Sequence, residues 1–244
     1  MPVPLPTPMR RALVVAVLLP ALSVPACLAA PAPGPPTRTV AWTARVLYPV
    51  DARRAPKPQA AARVRLMHYS AFSRRPNILL VTGVATDARG RRWVRVQLPQ
   101  RPNGSQAWVP RAAVALRGTH LRLRVSLGAR QLQVLRAGRV VARYPVAVGT
   151  GGTPTPIGRF AVQDPVRAPS YVSSYLGPYI ITLTAHSGVL REFAGGDGLI
   201  AIHGTNAPGS IGRAASHGCI RMGNAPLHAL WRIAGPGTPV DIVR

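Results

Sequence analysis

Carboxylates are the scarcest charged groups in this chain. Its 244 residues contain six acidic side chains against 31 lysines and arginines, which leaves a formal net charge of +25. The acids are spread along the chain rather than grouped, at Asp51, Asp87, Asp164, Glu192, Asp197 and Asp241. Glycan cleavage by paired carboxylates, which needs two acids on either side of one bond, is therefore disfavoured.

Lysine is nearly missing as well, since Lys57 is the single lysine and all other basic residues are arginine. The arginines occur singly, without a basic stripe or a nucleic-acid motif, so the charge does not predict a nucleic-acid partner. Hydrophobic residues make up 47% of the chain, which is ordinary for a folded protein. The length allows one large domain or two small ones.

The N-terminus has the layout of a secretory signal. Arg10 and Arg11 precede an apolar run at residues 12–22, and small residues follow at 26–30. The apolar run is too short to span a bilayer comfortably. We therefore predict a signal peptide over residues 1–30 and an exported protein, which meets a membrane only through this signal or through a lipid anchor.

Cysteine is the third scarce residue, with Cys27 and Cys219 as the only two. Cys27 lies inside the predicted signal, in a Val-Pro-Ala-Cys run close to a lipobox, although the proline departs from the usual pattern. It is either lipidated or removed by ordinary cleavage near Ala30. In both cases Cys219 has no disulfide partner, and a lone thiol in an exported protein needs an explanation.

Cys219 lies in a run typical of a cysteine nucleophile, Ser-His-Gly-Cys-Ile-Arg at residues 216–221. His203 lies 16 positions upstream, in an Ile-His-Gly-Thr segment that ends a predicted strand. The alternative is that Cys219 is a small buried hydrophobe and that the histidines are loop residues. The glycines in and around the run indicate a shaped loop instead, and favour the catalytic interpretation.

These residues resemble the L,D-transpeptidases, which have a YkuD-like catalytic domain. Members of that family carry a histidine, a spacer, and then Ser/Thr-His-Gly-Cys followed by a hydrophobic residue and Asn or Arg. The stretch at 149–160, Gly-Thr-Gly-Gly-Thr-Pro-Thr-Pro-Ile-Gly-Arg-Phe, is similar to the family's G-x-x-x-T-P-x-G-x-F segment. The resemblance extends from about Leu121 to Val243.

A thiol is mostly protonated near neutral pH, so a nearby imidazole must accept its proton. The resemblance implies that His203 is this base, that Cys219 is the nucleophile, and that His217 is a structural or substrate-positioning residue. No carboxylate lies in either histidine motif. We therefore expect a backbone carbonyl near Gly204 to orient His203, as the resemblance also suggests.

Attack on a peptide carbonyl builds an oxyanion, and backbone amides around Gly218 and Cys219 are its natural donors. Arg221 follows in the same loop, where its forked guanidinium can clamp a substrate carboxylate. Ser216 is expected to support the loop or the oxyanion, and Tyr179 to contact substrate. No metal ion or cofactor is expected.

The resemblance implies acyl transfer on peptidoglycan stem peptides. Cys219 attacks the bond between an L-centre and the following D-residue, the D-amino acid leaves, and a thioester remains. An amine of a second stem then gives a 3→3 cross-link, water gives hydrolysis, and an amine on a protein gives anchoring to the wall. The residues do not choose among these acceptors. The same thiolate is expected to react with carbapenem-type inhibitors.

The positive charge suits an exported protein that meets the anionic polymers and carboxylate-bearing peptides of a bacterial wall. The alternative is that an arginine-rich proteome simply produces basic proteins. Charge therefore supports a location in the cell wall or periplasm and says nothing about chemistry.

Short apolar alternations predict a mainly β fold in two domains. After a proline-rich spacer at 31–38, residues 39–117 resemble a bacterial SH3-like module, a small β-barrel with a tight turn at 102–104. Trp93 and Trp108 are expected to be packing residues there. Residues 119–244 are expected to form a β-sandwich-like catalytic domain with a short helix at 225–233.

Two other hypotheses belong to different classes of function. A zinc site built from His203, His217 and Cys219 is chemically possible, but the motif lacks a clear fourth ligand and a spacing typical of structural zinc. A non-catalytic wall-binding protein would rely on the SH3-like module alone. The intact cysteine and both histidines disfavour that second hypothesis.

Overall fold

The computed structural model describes Met1, residues 32–192 and residues 196–244. The predicted signal peptide, with the lipobox-like Cys27, and the first residue of the proline-rich spacer lie outside this described part. Residues Pro33–Arg244 form one compact unit. None of the described helices is long and apolar enough to cross a membrane.

Seven strands from the first half of the chain build one antiparallel sheet. They are β1 (Ala41–Val46), β2 (Val50–Arg53), β3 (Ala62–Leu66), β4 (Ile78–Thr86), β5 (Arg92–Gln97), β6 (Gln106–Pro110) and β7 (Val114–Thr119). Their order in space is β3-β2-β6-β5-β4-β1-β7. The apolar residues of β4, β5 and β6 give this N-terminal sheet a core of its own, which includes Val81, Val94, Val96 and Val109.

The described part of the second half of the chain forms a larger sheet, a small one and two α-helices. The strands are β8 (Leu121–Ser126), β9 (Gln131–Arg136), β10 (Arg139–Pro145), β11 (Val148–Gly149), β12 (Gly158–Arg167), β13 (Tyr179–His186), β14 (Leu199–His203), β15 (Ala214–Ser216), β16 (Ile220–Arg221) and β17 (Pro239–Val243). The helices are α1 (Ser170–Leu176) and α2 (Asn224–Ile233). Eight strands follow the order β10-β9-β8-β17-β12-β13-β14-β16, and β11 pairs separately with β15.

The prediction of a mainly β fold is confirmed by these sheets. The predicted short helix is α2, which buries Leu227 and Leu230. Helix α1 was not predicted, since none of its residues is buried and it has no apolar face to reveal it. The SH3-like identity of the N-terminal sheet and the boundary between 117 and 119 stay predictions. That boundary falls within the last residues of β7, which ends at Thr119.

Side chains alternate between the two faces of the eight-stranded sheet. On one face, Ile202 of β14 and Ile220 of β16 share the main core with Leu227 of α2. Their neighbours in sequence, His203 and Arg221, must therefore point the opposite way. We call this opposite face, which carries His203, Arg221 and Cys219, the outer face.

The N-terminal sheet packs against the outer face of the eight-stranded sheet, over the middle strands of that larger sheet. Leu80 of β4 and Ala161 of β12 belong to one small buried cluster. The hydroxyl of Ser70 donates a hydrogen bond to the carboxylate of Asp164, which is buried on β12. The outer face is thus covered at β12 by residues from the first half of the chain.

A second contact comes from the turn between β5 and β6, residues 101–104, which we call the β5–β6 turn. The side-chain amide of Asn103 donates to the carbonyl of His186 and accepts from its N–H, both at 2.8 Å. The Arg101 guanidinium donates, at 2.7–2.9 Å, to three carbonyls between β13 and β14: those of Ser187, Leu190 and Asp197. This turn therefore holds the chain just before β14.

The hydrogen bonds of the β5–β6 turn lead to a prediction about stability. In Asn103→Ala, the backbone N–H and C=O of buried His186 lose both partners, so we expect the free energy of unfolding to fall by about 1–3 kcal/mol. Chemical denaturation measures the change. Asn206→Ala, at an exposed position, is the control and should leave it nearly unchanged. Equal values for the two variants would contradict the prediction.

Candidate active site

Cys219 and His203 come together because β14 and β16 pair in parallel. The register sets Ile202 opposite Ile220 and His203 opposite Arg221. Cys219 precedes Arg221 by two residues and so shares its face, diagonal to His203. Diagonal neighbours on adjacent strands lie roughly 7–8 Å apart at the backbone, within reach of an imidazole ring.

The imidazole of His203 is held by backbone rather than by a carboxylate. Its Nδ1–H donates to the carbonyl of Gly204 at 2.7 Å, which leaves the Nε2 lone pair available as a base. This carbonyl is the group expected to orient His203. The ring is only 5% exposed. Burial is the largest cause that lowers the pKa of His203 to about 4. Hydrogen bonds to the carbonyls of Gly204 and Leu176 raise this pKa, and the positive charge of Arg221 lowers it.

The thiol of Cys219 is half-buried. Its S–H donates to the carbonyl of Leu199 at 4.0 Å. Burial raises the pKa of the thiol, and a backbone hydrogen bond from Ala201 and the positive charge of Arg221 act in the opposite direction. At neutral pH the pair is therefore a neutral thiol beside a neutral imidazole. Within the described residues no hydrogen bond joins the sulfur to His203, so the thiol must rotate from Leu199 to transfer its proton.

The loop before the cysteine is shaped by Ser216 and Gly218. The Ser216 hydroxyl accepts the N–H of Gly218 at 3.1 Å and donates to the carbonyl of Cys219. Gly218 has a φ of 115°, a conformation that side-chain-bearing residues rarely adopt. Because the Gly218 N–H is engaged by Ser216, the amide of Cys219 is the better candidate of the two to donate to an oxyanion. His217 lies exposed on this loop.

The threonine-rich stretch after β11 braces the same loop. Thr155 is buried, donates its hydroxyl to the carbonyl of Gly218 at 2.8 Å and accepts the N–H of Gly149 at 2.8 Å. Thr153 donates to the carbonyl of Ser216 at 3.2 Å. The sequence marked this stretch as part of a family motif without giving its threonines a role. Their pairing with the cysteine loop, about sixty positions away, is visible only in the fold.

Asn224 is a second residue that the sequence did not reveal. Its side-chain oxygen accepts the N–H of Thr205 at 3.2 Å, directly after Gly204. A side chain on Gly204 would place its first carbon 1.9 Å from this oxygen, so only glycine fits there. Asn224 therefore fixes the peptide whose carbonyl orients His203. The Ile-His-Gly-Thr segment gave the only signal, through its glycine.

Arg221 brings positive charge to the outer face. Its backbone forms two hydrogen bonds with Ala147, at 2.8 and 2.9 Å, which fix β16 at the sheet edge. Its charge lowers the pKa of both His203 and Cys219. Among the described residues no carboxylate forms an ion pair with it, so its guanidinium is available to an anionic group.

Tyr179, which was predicted to contact substrate, lies on the face of the sheet opposite to the sulfur. Ile180, its neighbour, pairs with His203, so Tyr179 points to the opposite face. There its ring stacks on His228 at 4.6 Å and lies 4.9 Å from the Trp231 ring, both on α2. The described residues contain no group of three or more His, Cys, Asp or Glu side chains that could hold a metal ion.

Comparison with known proteins identifies relatives of the second half of the chain. It is 39% identical over 120 residues to the putative L,D-transpeptidase YkuD of Bacillus subtilis, which covers 49% of this chain and 64% of that protein. It is 32% identical over 82 residues to the probable L,D-transpeptidase YcfS of Escherichia coli, covering 34% and 22%. The chain thus spans less than two thirds of the length of these relatives.

Solved structures with a similar fold include an L,D-transpeptidase from Mycobacterium tuberculosis H37Rv, with a TM-score of 0.46 and 15% identity over 69% of this chain and 90% of that one. L,D-transpeptidase 3 of the same species, solved with a faropenem-derived adduct, has a TM-score of 0.43 and 14% identity over 69% and 91%. Likeness at this level carries no functional argument.

The family model for the L,D-transpeptidase catalytic domain, YkuD, matches residues 121–242. The match covers half of the chain, from the first strand of the eight-stranded sheet to the last, and includes β14, the cysteine loop and β16. The chain therefore belongs to the YkuD family of L,D-transpeptidase catalytic domains.

Proposed function

We propose that this chain is an exported peptidoglycan L,D-transpeptidase that cross-links stem peptides through a thioester on Cys219. The observation that carries the proposal is the outer face of β14 and β16, where thiol, oriented imidazole and free guanidinium share one patch. Membership of the family supports the same activity. We place its action in the cell wall or periplasm, after export by the predicted signal, with lipidation of Cys27 as the alternative processing route.

The first step of the proposed reaction forms the thioester. The sulfur of Cys219 attacks the carbonyl carbon of the L-centre while Nε2 of His203 takes the thiol proton. Because burial disfavours both charged forms, proton transfer accompanies attack. The amide of Cys219 donates to the oxyanion. The C–N bond then breaks, and the imidazolium returns its proton to the amine of the leaving D-residue.

The second step transfers the acyl group. An amine of a second stem peptide attacks the thioester carbon, His203 accepts the proton that the amine loses, and the C–S bond breaks. The sulfur takes that proton back, which restores thiol and imidazole and leaves a 3→3 amide cross-link. We assign an amine acceptor because the relatives are named transpeptidases. Water or an amine on a wall-bound protein would use the same thioester.

Substrate recognition in this proposal relies on Arg221. Stem peptides carry carboxylates, and a guanidinium binds a carboxylate through two parallel hydrogen bonds. Arg221 has no ion-pair partner among the described residues and lies opposite His203 in the ladder. A carboxylate bound there would also reduce the unfavourable effect of the Arg221 charge on an imidazolium at His203.

Acylation by a carbapenem tests the nucleophile directly. We expect intact-mass spectrometry to find a one-to-one adduct that is lost in Cys219→Ser and kept in Cys27→Ser. His203→Gln should slow formation of the adduct by about two to four powers of ten, because the base is missing. A folded, reduced protein that forms no adduct, or a Cys219→Ser variant that still does, would overturn the proposal.

The pH dependence of thiol reactivity tests the neutral resting pair. The pKa of Cys219 is raised by burial and that of His203 is lowered to about 4. We therefore expect the rate of Cys219 alkylation by iodoacetamide to keep rising through about pH 9 as the thiolate forms. Carbapenem acylation, which uses His203 as base, should fall only as the pH drops through about 4. An alkylation plateau near neutral pH would indicate a preformed ion pair instead.

Thr155 tests the bracing of the cysteine loop. Thr155→Val keeps the shape but removes the hydroxyl that joins Gly218 and Gly149. We expect roughly a tenfold or greater loss of acylation rate, with about 1–3 kcal/mol lower stability. Thr155→Ser keeps the hydroxyl and should restore most of the rate. Equal acylation rates in the valine variant and the parent protein would contradict this role.

A further inference from the structure

A second feature of the outer face lies away from the thiol. Between the N-terminal sheet and strands β8, β17 and β12 there is a cleft of about 1050 Å³. We call it the cationic cleft, because the charged side chains that line it are Arg38, Arg95, Arg122, Arg124, Arg159 and Asp241. Five arginines thus share a cleft with the single carboxylate among its described lining residues.

The sheet register arranges these charges in a row. Asp241 on β17 lies opposite Arg124 on β8 and opposite Arg159 on β12, and all three point to the outer face. The carboxylate is already used by Arg122, whose guanidinium lies 2.6 Å from it. Arg124 and Arg159 are exposed, and among the described residues neither guanidinium has a hydrogen-bond acceptor. The row therefore carries excess positive charge.

The N-terminal sheet, which forms the facing wall of the cleft, contributes a hydrogen-bond donor that has no acceptor among the described residues. Arg95 on β5 donates from one terminal nitrogen to the carbonyl of Thr82 at 3.0 Å and lies over the ring of Trp108. Its Nε is buried and has no partner among the described residues. A buried donor left unpaired is costly, so water or an anionic group is expected beside it.

We propose that the cationic cleft binds a linear polyanion, a chain that repeats phosphate or carboxylate groups. Arg124 and Arg159 stand on either side of β17, two strand spacings or roughly 10 Å apart at the backbone, with Asp241 between them. A chain with anionic groups at intervals can pair with both arginines and with Arg95 on the facing wall. Guanidinium forks favour phosphate and carboxylate oxygens alike.

This site is separate from the thiol. Residues from the first half of the chain pack on the outer face between the two: Ser70, from the loop between β3 and β4, against Asp164, and Leu80 of β4 against Ala161. A polymer in the cleft therefore leaves the face of β14 and β16 open. Binding does not depend on acyl transfer, so Cys219→Ser should bind as well as the parent protein.

Isothermal titration calorimetry of the full chain tests the proposal, with sodium polyphosphate and poly-L-glutamate as probes. The test variant is Arg124→Gln with Arg159→Gln. The control is Arg89→Gln with Arg232→Gln, which removes the same charge from exposed positions outside the cleft. Unfolding midpoints equal to the parent's would show that both variants fold.

We expect saturable binding of at least one probe at low salt, weakened roughly tenfold or more in the cleft variant and less than about twofold in the control. Binding of polyphosphate alone assigns the site to phosphate chains, and binding of polyglutamate alone assigns it to carboxylate chains. An equal loss of affinity in both double variants would show that binding depends on net charge alone, and would overturn the proposal. Absence of saturable binding to either probe would overturn it as well.

Discussion

The parallel pairing of β14 with β16 is the interaction on which the rest of the site depends. It buries Ile202 and Ile220 in the main core, and this burial forces His203 and Cys219 to the outer face. A slip of one residue would turn the thiol into the core and an isoleucine into solvent. The apolar contacts that hold the sheet together therefore also keep the thiol and the imidazole on the same face.

The scarcity of acids is reflected in the groups that hold the histidine and the cysteine loop in place. The chain has six carboxylates and none beside His203, so a backbone carbonyl orients this histidine where other enzymes use an aspartate, and neutral side chains hold the surrounding loops. The Gly204 carbonyl orients His203, Asn224 fixes the Gly204 peptide, and Thr155 ties the cysteine loop to the preceding stretch. Burial favours the neutral thiol and the neutral imidazole, and in the proposed mechanism the two exchange a proton only during attack.

The N-terminal sheet organises the outer face rather than standing apart from it. It covers the middle strands and holds the chain before β14 through the β5–β6 turn. On one side it leaves the thiol open, and on the other it forms a wall of the cationic cleft. Arginines that look scattered in the sequence converge there because β8, β17 and β12 are neighbours only in the folded sheet.

Local patterns in the sequence determined the mainly β class, the helix α2 and the motif that makes Cys219 and His203 candidates. These signals are short-range, because strand alternation and a cysteine motif each lie within a few residues. Only the tertiary structure decided which face each side chain occupies. Tyr179 points away from the sulfur, and Asn103 binds a strand from the other half of the chain. Arg124 and Arg159 lie on either side of Asp241 in β17. Those outcomes depend on sheet register and long-range pairing, which no local pattern contains.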